Sequence, residues 1–200
     1  MAPLIRAHAQ SVAAREPSIA GCWISPGWSK GLTWEGHPEW RDASEDADDG
    51  DRGVPSLICV FVAREVRYTK VSVCGYLVDA QCLGVKNVLG PRVIERYELD
   101  ALVRRYFQAY DEPPQVVPFD LVQELVLGAE AYARKLGFEP HPEFEACRAH
   151  LGTWTASSAI RFGWHGKPFF SQGPNDDART VMRTLERSVG RGNFDFMAVG

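Results

Sequence analysis

"PSLICVFVAREVRYTKVSVCGYLVDA" runs from Pro55 to Ala80. It holds two apolar runs rich in β-branched residues, one after Pro55 and one ending at Ala80, joined by the charged link Arg64–Lys70. That pattern predicts two strands of a hairpin. Neither run alternates apolar with polar residues, so both sides of each strand are expected to be covered.

Upstream, "IAGCWISPGW" (Ile19–Trp28) predicts a short strand that stops at Pro26–Gly27, where the turn chemistry changes. Between it and the hairpin, Glu35–Arg52 sets eight acids against two arginines, a local charge of −6. The chain as a whole carries −4, so everything outside that segment sums to +2. Residues 35–54 are therefore expected to form an acidic surface loop inserted between strands. Residues 1–17 have no clear apolar face and are expected to form a frayed helix or a mobile arm, ahead of a single domain over 18–200.

Downstream, Leu99, Leu102, Val103 and Tyr106 recur at helical spacing until "DEPPQVVP" breaks the helix. A longer helix follows Pro118, with Leu121, Val122, Leu125, Ala129, Tyr132, Ala133 and Leu136 as its stripe and Gly137 as its stop. "HPEFEACRAHLG" predicts a third, shorter helix. "SAIRFGWHGKPFFSQG" reads as two strands about a His165–Gly166 turn. A helix capped by Asn175 or Asp176 and stopped at Gly190 comes next, then a strand at "NFDFMAV". The order strands, helices, strands, helix, strand predicts an α+β fold: one mostly antiparallel sheet with about four helices packed on it.

Apolar residues make up 45% of 200, ample for a packed core. No apolar run reaches the ~18 residues of a membrane helix, and the N-terminus does not read as a secretion signal. An odd number of cysteines, five, argues against a disulfide framework. A cytoplasmic protein is expected, with no membrane partner and no cofactor. The chain lacks HExxH, GxGxxG, the Walker loop, GxSxG and the zinc-deaminase pattern, which excludes those enzyme classes. His141, Glu145 and His150 do not share one helical face, so no metal site is expected there.

Three surfaces remain. In "GYLVDAQCLGVKN", Asp79 interrupts the longest apolar run and Cys82 and Lys86 follow it. One reading makes Asp79 an acid or base, Cys82 a nucleophile and Lys86 an anion-binding group, with His165 joining them. The other makes Asp79 the cap of a turn, Cys82 a core residue and Lys86 a surface residue. Arg179, Arg183 and Arg187 step along one face of the last helix, and with Lys167 they are candidates to hold an anion, nucleic acid or phosphate included. The plain alternative is the solvated face of an amphipathic helix, with Glu186, Asp176 and Asp177 beside the arginines. Trp34 and Trp40 lie in or beside the acidic loop and are candidates to anchor a protein partner there, or to fold the loop onto the domain.

"CWISPGW", "GYLVDAQCLGVKN", "AYARKLGFEPHPEF" and "GKPFFSQGPNDD" together resemble a group of uncharacterised bacterial proteins with CW…W, YLVD-x2-CLGVK and GKPFF-x2-GP-x-D signatures. The likeness covers most of residues 20–196. It implies an independently folded domain and assigns no catalytic residue. Function is thus expected to be that of a binding or regulatory protein. The alternatives are a small hydrolase or transferase using Asp79, and a nucleic-acid accessory protein using the arginine face.

Overall fold

The computed structural model of the chain describes residues 17–43, 57–155 and 159–197. The expected N-terminal arm up to residue 16 and residues 44–54 of the acidic insertion lie outside the described residues. Strand β1 (Ile19–Ile24) is followed by the short β2 (Thr33–Trp34). The Pro55–Ala80 stretch supplies β3 (Ile58–Arg67) and β4 (Lys70–Asp79), paired antiparallel. The turn is tighter than the charges imply: Arg67 pairs with Lys70, leaving only Tyr68 and Thr69 as loop. Arg64 is not in the link at all. It sits buried in β3, where Nε donates to the His150 carbonyl (2.7 Å) and Nη1 to that of Pro17 (2.6 Å).

Strand β5 (Gly84–Glu95), which the sequence pattern does not announce, pairs antiparallel with β4. Then come α1 (Leu99–Tyr106), β6 (Gln115–Val116), α2 (Phe119–Lys135) and α3 (Phe144–Arg148). Strand β7 (Ile160–Arg161) pairs with β2, and β8 (Phe169–Ser171) pairs in parallel with β9 (Asp195–Met197), with α4 (Ala178–Ser188) between them in sequence. The expected hairpin of β7 and β8 is not formed, because each arm has found a different partner. A bridge between Trp164 and Lys167 closes only the turn itself.

The main sheet has the order β5-β4-β3-β1-β6, antiparallel throughout, and the fold is α+β. Its two central strands are apolar on both faces because both faces are covered. On one side Val60, Val62, Cys74, Tyr76 and Val78 meet the α2 stripe of Leu121, Val122, Leu125 and Ala129, with Phe144 and Cys147 of α3. Tyr76 is fully buried and its hydroxyl donates to the Cys147 carbonyl (2.9 Å), tying α3 to the sheet. On the other side Phe61, Ala63, Val71 and Val73 meet Leu99, Leu102, Val103 and Phe107. Burial of each such leucine or phenylalanine contributes roughly 1.5–3 kcal/mol. The Tyr106 ring lies over Gly75, where a Cβ would come within 2.6 Å of it, so glycine is what lets α1 reach the sheet. A third apolar cluster, with Cys82, Leu136, Phe170, Leu185 and Phe194, seats α4 beside the turn that follows β4. The cap of α4 is Asp177, one residue beyond the expected Asp176, and its side chain accepts from Thr180 N (3.2 Å).

Candidate functional site

Strand β4 ends at Asp79, and after four intervening residues the chain re-enters the sheet at Gly84 with φ +69°. So tight a reversal leaves backbone N–H groups pointing inward, and these need an acceptor. Asp79 provides it. Oδ1 accepts from Gln81 N (2.9 Å) and Cys82 N (3.0 Å), and Oδ2 from Leu83 N (3.1 Å). Burial pushes the Asp79 carboxyl above the ordinary carboxylate range, against the opposing pull of those N–H groups and of the Lys86 ammonium.

Lys86 leaves β5 on the same side and meets Asp176, which precedes α4. Its Nζ lies 2.6 Å from Oδ2 and 2.8 Å from Oδ1. Both side chains are largely buried, and Asp176 Oδ2 also accepts from Gly173 N (2.8 Å). Asp79, Gln81, Lys86, Phe169, Gln172 and Gly173 line a cleft of about 140 Å³ at this junction. That is smaller than the several hundred Å³ that a metabolite-sized ligand usually fills. Gln81 Nε2 donates to the Lys30 carbonyl (2.9 Å), while its buried Oε1 has no hydrogen-bond partner among the described residues.

The structure therefore brings Asp79, Lys86 and Cys82 to one region. Cys82 is buried beneath the turn, and burial together with the Asp79 charge pushes its thiol up, away from the thiolate a nucleophile needs. His165 is not among the residues lining the cleft. It occupies a left-handed backbone conformation (φ +50°), its N–H donates to the Gly31 carbonyl (2.9 Å), and its ring packs edge-on against Trp164. Lys167 forms an ion pair with Asp195 (2.8 Å).

On α4, Arg179, Arg183 and Arg187 are exposed and form no ion pair among the described residues. Two of the acids that flank them in sequence are engaged elsewhere, Asp176 with Lys86 and Glu186 with Arg191 (3.1 Å), while Asp177 accepts from the Thr180 hydroxyl and also feels the Arg179 charge. Trp40 is buried in the main core, with the His37 ring stacked on it at 3.8 Å. Trp34 is half-buried against Trp28 (5.1 Å), and its Nε1 donates to the His37 carbonyl (3.3 Å). Both rings thus pack inward and hold the first part of the acidic segment down on the domain.

Asp42 in that segment is a structural residue that the acidity of its neighbours conceals. Its carboxylate is buried and accepts from Gly27 N (3.1 Å), Ser29 N (3.0 Å), Ser29 Oγ (3.1 Å) and Gln115 Nε2 (2.7 Å). Among the described residues, His37, Glu39 and Asp120 place one ligand atom each within 4.8 Å of one another, a spacing open to a cation. They lie at the surface, and His37 Nδ1 and Glu39 Oε1 already share a hydrogen bond (2.9 Å). His150 is buried with Nε2 against the Ser72 carbonyl (3.0 Å), apart from His141, whose Nδ1 accepts from Glu143 N (3.3 Å). Compared with known proteins, the chain matches no family model, no curated protein and no solved structure.

Proposed function

We propose that this protein is a binding or regulatory domain that takes an anionic partner on the exposed face of α4. The observation that carries the reading is that Arg179, Arg183 and Arg187 are exposed and form no ion pair among the described residues, while Asp176 and Glu186 are paired with Lys86 and Arg191 and Asp177 lends part of its charge to Arg179 alone. Eight residues of helix separate the first from the last, about 12 Å, so three guanidinium forks stand along one ridge. An amphipathic helix needs polar residues on its outer face, but it does not need three cations in register.

A hydrolase or transferase at Asp79 has less behind it. The carboxylate is engaged by three backbone N–H groups, Lys86 by Asp176, and Cys82 is a buried thiol. A reducing, cytoplasmic setting belongs to the same proposal and is supported by five unpaired cysteines.

The test is a titration of the wild-type protein and the variant Arg179→Ala/Arg183→Ala/Arg187→Ala with oligothymidylate and with polyglutamate, at about 50 mM salt. The two polymers separate a phosphate-bearing partner from a carboxylate-bearing one. The expected result is binding of at least one polymer by the wild type, weakened about tenfold or more in the variant with its melting temperature unchanged. Failure of the wild type to bind either, or equal binding by the variant, contradicts the proposal.

A further inference from the structure

The far end of the sheet displays two tyrosines that do nothing for the fold. Tyr68 sits in the two-residue loop between β3 and β4, at the tip of the hairpin. Its side chain is fully exposed, at 102%, and Tyr97 is 84% exposed. The segments that carry them are joined. Arg96 N donates to the Thr69 carbonyl (2.7 Å), and Lys70 pairs with Glu95 (3.2 Å), so the hairpin loop is fastened to the end of β5. Val66 is exposed beside Tyr68, at 46%.

The charges around these rings are unequally spent. Arg96 is paired with Glu65, and Lys70 with Glu95. Arg67, Arg92 and Arg105 are exposed and form no ion pair among the described residues. Two shallow hollows flank the tyrosines. One, of about 660 Å³, is walled by Val66, Arg67, Tyr68 and Arg96; the other, of about 280 Å³, by Arg92, Tyr97, Leu102 and Arg105. Tyrosine and arginine are the side chains that most often carry binding energy at protein interfaces, because each brings contact area at low entropic cost.

We propose that Tyr68 and Tyr97, with Arg67, Arg92 and Arg105, form a docking surface for an acidic protein segment that also carries apolar side chains. The three unpaired arginines select the acidic groups, and Val66 and the tyrosine rings take the apolar ones. The exposed apolar surface of Val66 and of the tyrosine rings beside the arginines favours a protein segment over a sugar–phosphate chain. Strand β4 runs ten residues from this end to Asp79, about 30 Å, so the surface is distinct from the α4 face and does not depend on it.

The probe is a fluorescent peptide mixing Asp and Glu with Leu and Val, followed by anisotropy at about 50 mM salt. Binding is expected to weaken about tenfold or more in Tyr68→Ala/Tyr97→Ala and in Arg67→Glu/Arg92→Glu, with melting temperatures unchanged. It is expected to survive in the α4 triple-alanine variant. Absence of peptide binding by the wild type, or wild-type affinity in the tyrosine variant, overturns the proposal. Tighter binding of oligothymidylate, lost in the tyrosine variant, assigns the surface to nucleic acid and overturns it too. Loss of peptide binding only in the α4 variant supports the function proposed above and removes this one.

Discussion

Lys86 and Asp176, ninety positions apart in sequence, meet at 2.6 Å between Nζ and Oδ2, and their contact fastens β5 to the segment that launches α4. Both are largely withdrawn from water, so removing one leaves the other short of a partner. Lys86→Met should therefore lower stability by roughly 2 kcal/mol, and Lys86→Met/Asp176→Asn by less than the sum of the two single changes. Urea denaturation of the three variants measures both quantities. Additive losses would show that the pair is not coupled.

Asp79 should behave as the staple of the β4–β5 turn. Asp79→Ala strands three backbone N–H groups and should cost about 2–4 kcal/mol in the same urea experiment. Its pH dependence has a defined sign. Burial raises the folded-state pKa above the unfolded value, so the folded chain holds this proton more tightly. The contribution of Asp79 is thus fully present below the ordinary carboxylate value and is lost as pH rises through the raised one. Relative to Asp79→Asn, the wild type should gain stability as pH falls from 7 towards 4. A relative loss over that interval would mean that the three N–H bonds outweigh burial.

The thiols should be inert in the native state. Burial pushes Cys22 up to about 12 and raises Cys59, Cys74, Cys82 and Cys147 as well. Iodoacetamide at about pH 8 should label the native protein slowly, with Cys59, the least buried, reacting first, and should label every cysteine once the chain is unfolded. Fast labelling of native Cys82, read by mass spectrometry, would restore it as a nucleophile.

How far the sequence discloses all this depends on whether the cause of a feature is local. The β3 and β4 runs and the α2 stripe are legible because burial on both faces, or on one helical face, writes itself into consecutive residues. Gly137, at φ +92°, ends α2 for a reason visible in its residue type. Strand β5 is not legible in the same way. Only one of its neighbours is a strand, so Asn87, Arg92 and Val93 can face water, and Gly90–Pro91 is tolerated where a central strand would refuse it. The turn-capping role of Asp79 follows from its place at a strand end. The Lys86–Asp176 contact does not, since nothing near either residue points to the other. Strands β7 and β8 were expected to pair because they adjoin in sequence, but β2 and β9 provided edges closer in space.

Asp42 shows the same limit in its sharpest form, for one buried carboxylate is hidden in a run of acids. Asp42→Ala should cost about 2–4 kcal/mol, whereas Glu39→Ala, at the surface three residues earlier, should change stability by no more than about 0.5 kcal/mol. Limited proteolysis should also cut the Asp42→Ala variant faster near residue 43. Equal stability of the two variants would remove the assigned role.

The salt dependence of oligothymidylate binding, compared between the wild type and Arg179→Ala/Arg183→Ala/Arg187→Ala, bears most directly on the proposed function. Three arginine–phosphate contacts on a single strand should make the logarithm of affinity fall with the logarithm of salt with a slope near −2, and the variant should lose that slope. A wild-type slope near zero with both oligothymidylate and polyglutamate, or the same slope in both proteins, would contradict an anion-binding role for α4.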